Sequence, residues 1–331
     1  MRKAPTPKPN QQLVSLPAPQ LPAPFPEAAT RYREIGLQGA ANTQRAYSAD
    51  LRSYEAYCQS QQLAAYPAEV ATLGGYLAHL ADAGKKLATI LRHQAAILKK
   101  HELLGLRLAG DERALKQVLR GITLSVGKRQ KRAPAFTAAH LKSVIRQLDL
   151  STVAGLRDRA LLLLGYAGAF RRSELVALNL EDLELTDQAL VMHLRRSKTN
   201  QAGELEQKAV FYAANPLFCP IRAYQAWVAQ LGGRLSGPLF VSLQRGVQAG
   251  ASTPTLRRLS DKSVNNLVRQ HLGGQYTAHS FRASFVTVSK LNGVDDTHVM
   301  NQTKHKTSEM IRRYTRLSDV VEHNAAQNID L

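Results

Sequence analysis

Cysteine is nearly absent: Cys58 and Cys219 are the only two in 331 residues, far apart and without metal-ligand spacing. A zinc ribbon, an iron–sulfur scaffold and a disulfide-stapled secreted domain are thereby excluded, and two reduced, buried thiols are expected. Long hydrophobic runs are missing as well. No stretch of 18 apolar residues occurs, so nothing reads as a membrane span, and the basic N-terminus runs into prolines instead of the apolar core of a secretory signal. Acidic residues are scarce: 25 Asp and Glu face 44 Lys and Arg, a net charge of +19. Such an excess calls for a polyanionic partner, nucleic acid ahead of membrane. A soluble cytoplasmic protein with no membrane partner is expected.

The length is large for one core, so two domains are the natural expectation. Residues 1–26 hold eight of the 14 prolines. Residues 1–29 therefore read as a flexible, partly extended tail. From Thr43, apolar positions recur at Tyr47, Leu51, Tyr54 and Cys58, the spacing of one helical face. A second stripe runs Val70, Leu73, Tyr76, Leu77 and Leu80, closed by Gly84. A third covers about 88–104 and a fourth about 111–124, so residues 30–125 are predicted to be a small helical domain. "GKRQKRAPAF" interrupts the pattern, and residues 126–133 read as a basic linker. The charge is +2 in residues 1–30, +5 in 31–125, +4 in Lys128–Arg132 alone and +8 in 133–331. Lys128, Arg129, Lys131 and Arg132 are therefore candidate contacts to a phosphate backbone. Residues 134–331 are predicted mostly helical, with helices starting near Pro220, Asp261, His279, Asp295 and Ser308. One exception is expected between Leu183 and Ala213, where "LELT", "ALVMHLRR" and "QKAVFYA" read as a small antiparallel sheet.

Several local signals carry chemistry only in combination. "AFRRSELVALNLEDL" sets Arg171 just ahead of a helix whose apolar positions are Leu175 and Leu178. "RRSKTNQAGE" reads as a hairpin tip with Lys198 in the turn. "AHSFRASF" spaces His279 and Arg282 by three, which puts both on one helical face. "KHKTSEMIRRYTR" places His305 nine residues before Tyr314.

In that order, over about 145 residues, these motifs resemble the tyrosine recombinase (phage integrase-like) family. "NTQRAYSADLRSYEAYC" is similar to the opening helix of that family's core-binding domain, and "GGYLAHLADAGKKLATILRHQAAILKKH" resembles the same domain in its Cre-type members. The resemblance implies a mainly α fold: a helical SAM-like core-binding domain and an α-rich catalytic domain with a small antiparallel β-sheet, together clamping DNA. It implies Arg171 and Arg282 as the catalytic arginines and Lys198 as the hairpin lysine. It adds His279 and His305 to the site, Tyr314 as nucleophile, and Glu174 as a bracing residue. The family commonly has Leu-Gly before the second histidine, where this chain has Thr303 and Lys304. Arg172 stands where a small apolar residue is usual; the Arg-x-Ser-Glu-Leu spacing favours Arg171 over it. The implied partner is double-stranded DNA, bound by a homotetramer or a heterotetramer with a related recombinase on paired sites, in the cytoplasm with the nucleoid. The stripe Leu317, Val320 and Val321 after the nucleophile fits a tail docking on a neighbouring protomer.

Physical chemistry supports these roles independently. Attack of a phenol on a phosphodiester builds negative charge on five-coordinate phosphorus, and a phenol of pKa about 10 must lose its proton as it attacks. Two guanidiniums offer paired donors to the non-bridging oxygens, and histidines exchange protons near neutral pH. A lysine can protonate the departing 5′ oxygen. With that many donors, neither metal nor cofactor is called for. Two other classes stay open at this point: a type IB topoisomerase-like enzyme with the same covalent intermediate, and a DNA-binding protein without catalysis.

Overall fold

The computed structural model describes residues 31, 41–127, 133–194, 206–246, 252–305 and 307–315. The proline-rich tail, the four linker cations, Lys198 and the chain after Thr315 lie outside the described residues. The chain divides into two units, Met1–Arg129 and Gln130–Leu331.

The first unit holds helices α1 (Ala41–Ser60), α2 (Val70–Asp82), α3 (Leu87–Leu104) and α4 (Glu112–Val126). Their apolar stripes meet in one core of Tyr54, Cys58, Leu73, Leu77, Ile90, Ile97, Leu115 and Ile122. α3 ends on Gly105 in the left-handed region (φ +67°), a conformation that costs glycine nothing. Asp111 caps α4, its carboxylate accepting from the Arg113 N–H at 2.9 Å. A polar tie joins α1 to α3: buried Asp50 accepts both Nε (2.7 Å) and Nη2 (2.9 Å) of Arg92. His93 Nε2 lies 3.1 Å from the same carboxylate.

The second unit opens with α5 (Ala138–Gln147), α6 (Val153–Ala167) and the short α7 (Arg172–Ala177). A three-stranded antiparallel sheet follows, β1 (Leu183–Leu185), β2 (Ala189–Leu194) and β3 (Glu206–Phe211), in the order β1-β2-β3. Its register pairs Leu190 with Val210 and Met192 with Lys208. All three strands lie where the sequence predicted a sheet. Next come α8 (Pro220–Val228), the pair β4 (Val241–Arg245) and β5 (Ser252–Arg258), and helices α9 (Asp261–Leu272), α10 (Ala278–Leu291), α11 (Asp296–Thr303) and α12 (Ser308–Thr315).

The β4–β5 pair departs from the expectation of helices alone after Ala213. Pro254, opposite Leu243, sits inside β5 and disguises it. In a two-stranded sheet both strands are edges, so a proline without an N–H is tolerated there. The core of this unit includes Leu161, Leu164, Phe170, Leu175, Met192, Trp227, Phe240 and Phe281. Trp227 is fully buried and donates its indole N–H to the Leu239 carbonyl at 2.8 Å. The molecule is mainly α-helical with small antiparallel sheets, and both cysteines are buried free thiols.

Candidate active site

The site is built where α6 stops. Its last turn runs into Gly168 and Ala169, and Ala169 takes a left-handed backbone (φ +46°) that turns the chain toward Arg171. Alanine pays for that conformation, and three outside contacts hold the turn. Lys208 of β3 donates to the carbonyls of Gly168 (2.9 Å) and Ala169 (3.2 Å). Arg282 of α10 donates from Nη1 to the Ala169 carbonyl at 3.3 Å.

Arg171 is the N-cap of α7. Glu174, one turn on, closes back on it twice: Oε2 accepts the Arg171 backbone N–H at 3.0 Å, and Oε1 accepts Nη1 at 2.5 Å. Lys208 Nζ reaches the same carboxylate at 3.4 Å and lies 4.6 Å from the centre of the Phe170 ring. Glu174 and Lys208 are almost wholly buried while Arg171 keeps 17% of its side chain exposed. A buried carboxylate thus ties down the back of an arginine whose outer side meets solvent. Burial works to raise the Glu174 pKa, but Lys208 and Arg171 outweigh it and hold the carboxyl below its usual range. Burial brings Lys208 down to about 8, against the pull of Glu174. At the far end of α7, Arg258 of β5 donates to the carbonyls of Val176 (2.6 Å) and Leu178 (3.1 Å) and to Asn179 Oδ1. Both ends of a six-residue helix are fastened, so Arg171 has a rigid seat.

α10 supplies His279 and Arg282. Its first turn is set by a reciprocal cap, with the Thr277 N–H donating to Ser280 Oγ at 3.1 Å. α10 lies tight against α6 at Gly165, where a Cβ would come within 2.7 Å of the Phe281 ring. Only glycine allows that approach. Arg282 is 1% exposed and donates from Nε to His305 Nε2 at 3.0 Å. His279 keeps an exposed face. Crowding nevertheless strips water from part of its ring, and this, with Arg282 and then Arg171 nearby, lowers its pKa.

His305 follows α11. Lys304 sits where the family commonly has glycine, and it adopts the left-handed geometry a glycine would take (φ +54°, ψ +42°). The turn therefore closes with a lysine, its N–H on the Met300 carbonyl at 2.7 Å. α11 is fastened by Gln302, whose amide donates to the carbonyls of Ala167 (2.9 Å) and Ala209 (2.8 Å). Burial first, then Arg282, Arg171, Lys208 and His279, drive the His305 pKa down to about 3. Both histidines are therefore neutral at pH 7.

α12 carries Tyr314, whose side chain is not among those described. The helix packs through buried Ile311 on Val286 of α10 and Val299 of α11. Of the residues predicted for the site, Arg171, Glu174, Arg282 and His305 form one hydrogen-bonded cluster through Lys208 and the Ala169 carbonyl. The charges of Arg171 and Arg282 reach His279. Arg172 points elsewhere, pairing with Asp261 at 2.9 Å with nearly half of each side chain exposed. Lys208, Gln302 and Arg258 were not anticipated, because a lysine in a strand or a glutamine in a helix carries no local mark of its partners. For Lys208 one signal existed: it falls on the strand face of Val210, among positions that should be apolar. Among the described residues no cluster of three or more His, Cys, Asp or Glu could hold a metal, and no helix is long and apolar enough to cross a membrane.

Residues 135–320 match the profile of the phage integrase family, and a curated relative is 33% identical over 307 residues. The chain belongs to the phage integrase family. That relative is an integrase/recombinase XerD homolog of Selenomonas ruminantium, with 88% of this chain and 86% of the relative covered. The Cre recombinase of Escherichia phage P1 is 28% identical over 214 residues, covering 62% of this chain and 60% of its own. Among solved structures, the Tn1549 transposon integrase in complex with transposon right end DNA superposes with a TM-score of 0.57. It shares 13% identity over 87% of this chain and 93% of its own, a likeness of fold. As a phage integrase family member with Xer and Cre relatives, the protein is a tyrosine-type site-specific recombinase.

Proposed function

We propose that this recombinase breaks and rejoins double-stranded DNA with Tyr314 as nucleophile, through a 3′-phosphotyrosine intermediate. Arg171 and Arg282 take the non-bridging oxygens of the scissile phosphate, and Glu174 holds Arg171 for that purpose. Neutral His279 accepts the phenolic proton, His305 serves the site by accepting from Arg282, and Lys198 protonates the departing 5′ oxygen. The observation that carries this is the joint seating of the two arginines. Arg171 and Arg282 come from elements over 100 residues apart in sequence, yet Arg282 donates to the Ala169 carbonyl and Arg171 is tied to the same turn through Glu174 and Lys208. Each donor in such a preorganised site is worth roughly 3–4 kcal/mol of barrier. Because the phosphotyrosine keeps the bond energy, resealing needs no nucleotide. The linker cations Lys128, Arg129, Lys131 and Arg132 hold backbone phosphates. The working assembly is a tetramer on two paired sites, homomeric or shared with a related recombinase, acting on the nucleoid in the cytoplasm.

The test is covalent capture. Wild-type protein is incubated with DNA fragments in excess EDTA and denatured, and the DNA bonded to it is sequenced. A nicked duplex of that sequence then gives an adduct with wild type and none with Tyr314→Phe, while gel-shift affinity is unchanged. An adduct that survives in Tyr314→Phe, or one that needs added magnesium, overturns the proposal. A paired-site recombination assay beside a plasmid relaxation assay separates strand exchange from topoisomerase action.

A further inference from the structure

The chain departs from its family just before His305, and the departure has a chemical consequence. Thr303, at the end of α11, is fully buried. Its hydroxyl donates to the Val299 carbonyl at 2.7 Å, one turn back, and the same oxygen lies 3.0 Å from His305 Nδ1. A hydroxyl has one proton, and this one is spent on Val299. Toward His305 the oxygen can only accept, so Nδ1 must carry the ring proton. On the other side, His305 Nε2 faces Arg282 Nε at 3.0 Å. A guanidinium has donors and no acceptor, so Nε2 must present a lone pair. The two constraints select the same tautomer. With His305 only 6% exposed, water is a poor substitute for either partner.

We propose that Thr303 is a positioning residue that locks His305 in its Nδ1–H tautomer, so that Nε2 is an acceptor seating Arg282. Leucine, common at this position in the family, has no atom to accept the proton. The order of the chain is Arg282 Nε–H to His305 Nε2, His305 Nδ1–H to Thr303 Oγ1, and Thr303 Oγ1–H to the Val299 carbonyl. Each donor is matched to one acceptor, and the orientation of the Arg282 guanidinium is inherited from a helix that does not carry it. The charged and titratable groups around the ring support the neutral form this requires. Arg282 and His279 come from α10, Arg171 from the start of α7 and Lys208 from β3, and all four disfavour a second ring proton. A doubly protonated ring would set N–H against N–H at Arg282.

The inference rests on the reading of this cluster as the cleavage site, but its first test does not. Long-range ¹⁵N–¹H correlation spectra of the ¹⁵N-histidine-labelled full chain without DNA report the tautomer. The His305 signals are identified by their loss in His305→Gln. Wild type and Thr303→Ser should show a protonated Nδ1 and an unprotonated Nε2. Thr303→Val, nearly the same shape without the hydroxyl, should move His305 to the Nε2–H form or to an averaged mixture. A second measurement reads function: single-turnover adduct formation on the nicked duplex recovered by capture. Thr303→Val should slow it by roughly 10- to 100-fold with DNA affinity within about twofold, and Thr303→Ser should recover most of the rate. An Nε2–H tautomer in wild type, or an unchanged spectrum in Thr303→Val, sinks the proposal. So does a wild-type cleavage rate in Thr303→Val. If wild type forms no adduct at all, the cleavage-site assignment fails and the tautomer measurement still decides the role of Thr303.

Discussion

At the scale of residues, the site is an exercise in placing like charges together. Arg171 and Lys208 pair with one buried carboxylate, Glu174, and Arg282 joins Lys208 at the Ala169 carbonyl, so the cluster has a cationic surplus. That surplus suits an incoming phosphodiester and forbids a charged His305. The cost appears in acid. The unfolded chain takes up a proton on His305 near its ordinary value of 6.5, whereas the folded chain resists until about 3. Below pH 6.5 the unfolded state binds more protons, so stability is lost as pH falls toward 3. From pH 7 to pH 5 this one ring should remove about 2 kcal/mol of stability. Urea unfolding at the two pH values checks it by comparison with His305→Gln, which should lose less by about that amount. Equal losses in the two proteins would mean that His305 is not held neutral by its surroundings. Lys304 shows the other kind of cost: a non-glycine residue in the left-handed region, about 1–2 kcal/mol, tolerated because the turn it closes delivers His305.

At the scale of elements, short pieces are made rigid by ties to distant ones. α7 has six residues, too few to be stable alone, and is fastened by Glu174 at one end and Arg258 at the other. α11 is pinned by Gln302 to the end of α6 and to β3. α10 reaches its place through the notch at Gly165. Gly165→Ala should push on the buried Phe281 ring, destabilise by about 1–3 kcal/mol, and slow adduct formation by displacing His279 and Arg282. Phe281→Leu in the same chain should recover part of both, read by thermal melting and single-turnover cleavage. A Gly165→Ala protein with wild-type melting and rate would show that the notch is slack. The helices and the first sheet were legible in sequence, because their apolar spacing reports a buried face directly. The β4–β5 pair was not, since Pro254 argues against a strand unless that strand is already known to be an edge.

At the scale of the whole molecule, the charge of +19 is the dominant fact. Four of those charges crowd into Lys128–Arg132, at the division between the two units. If all four hold phosphates, their replacement by Gln should flatten the dependence of log affinity on log salt by about 3.6, from roughly 0.9 per phosphate. Affinity titrations from low to moderate salt measure it. A fall near 1 or 2 would mean that only some of the four reach the backbone, and an unchanged slope that none does. Sequence preference should survive, because phosphate contacts position a protein while base contacts specify its site.

The sequence by itself determined the helical class and the first sheet and called for a polyanionic partner, through periodicity and composition, which are properties of neighbours along the chain. The set Arg171, Glu174, His279, Arg282, His305 and Tyr314 came instead from the resemblance of its motifs, taken in order, to the tyrosine recombinase family. The Arg-x-Ser-Glu-Leu spacing already favoured Arg171 over Arg172, and tertiary structure added the contacts: Arg171 on buried Glu174, Arg172 on exposed Asp261. Tertiary structure alone revealed Lys208 as the buried counter-charge of Glu174, and Thr303 as the acceptor that orients His305. Hydrogen bonds and ion pairs between distant segments leave no periodic trace, because their geometry exists only after the core has brought the segments within about 3 Å of each other.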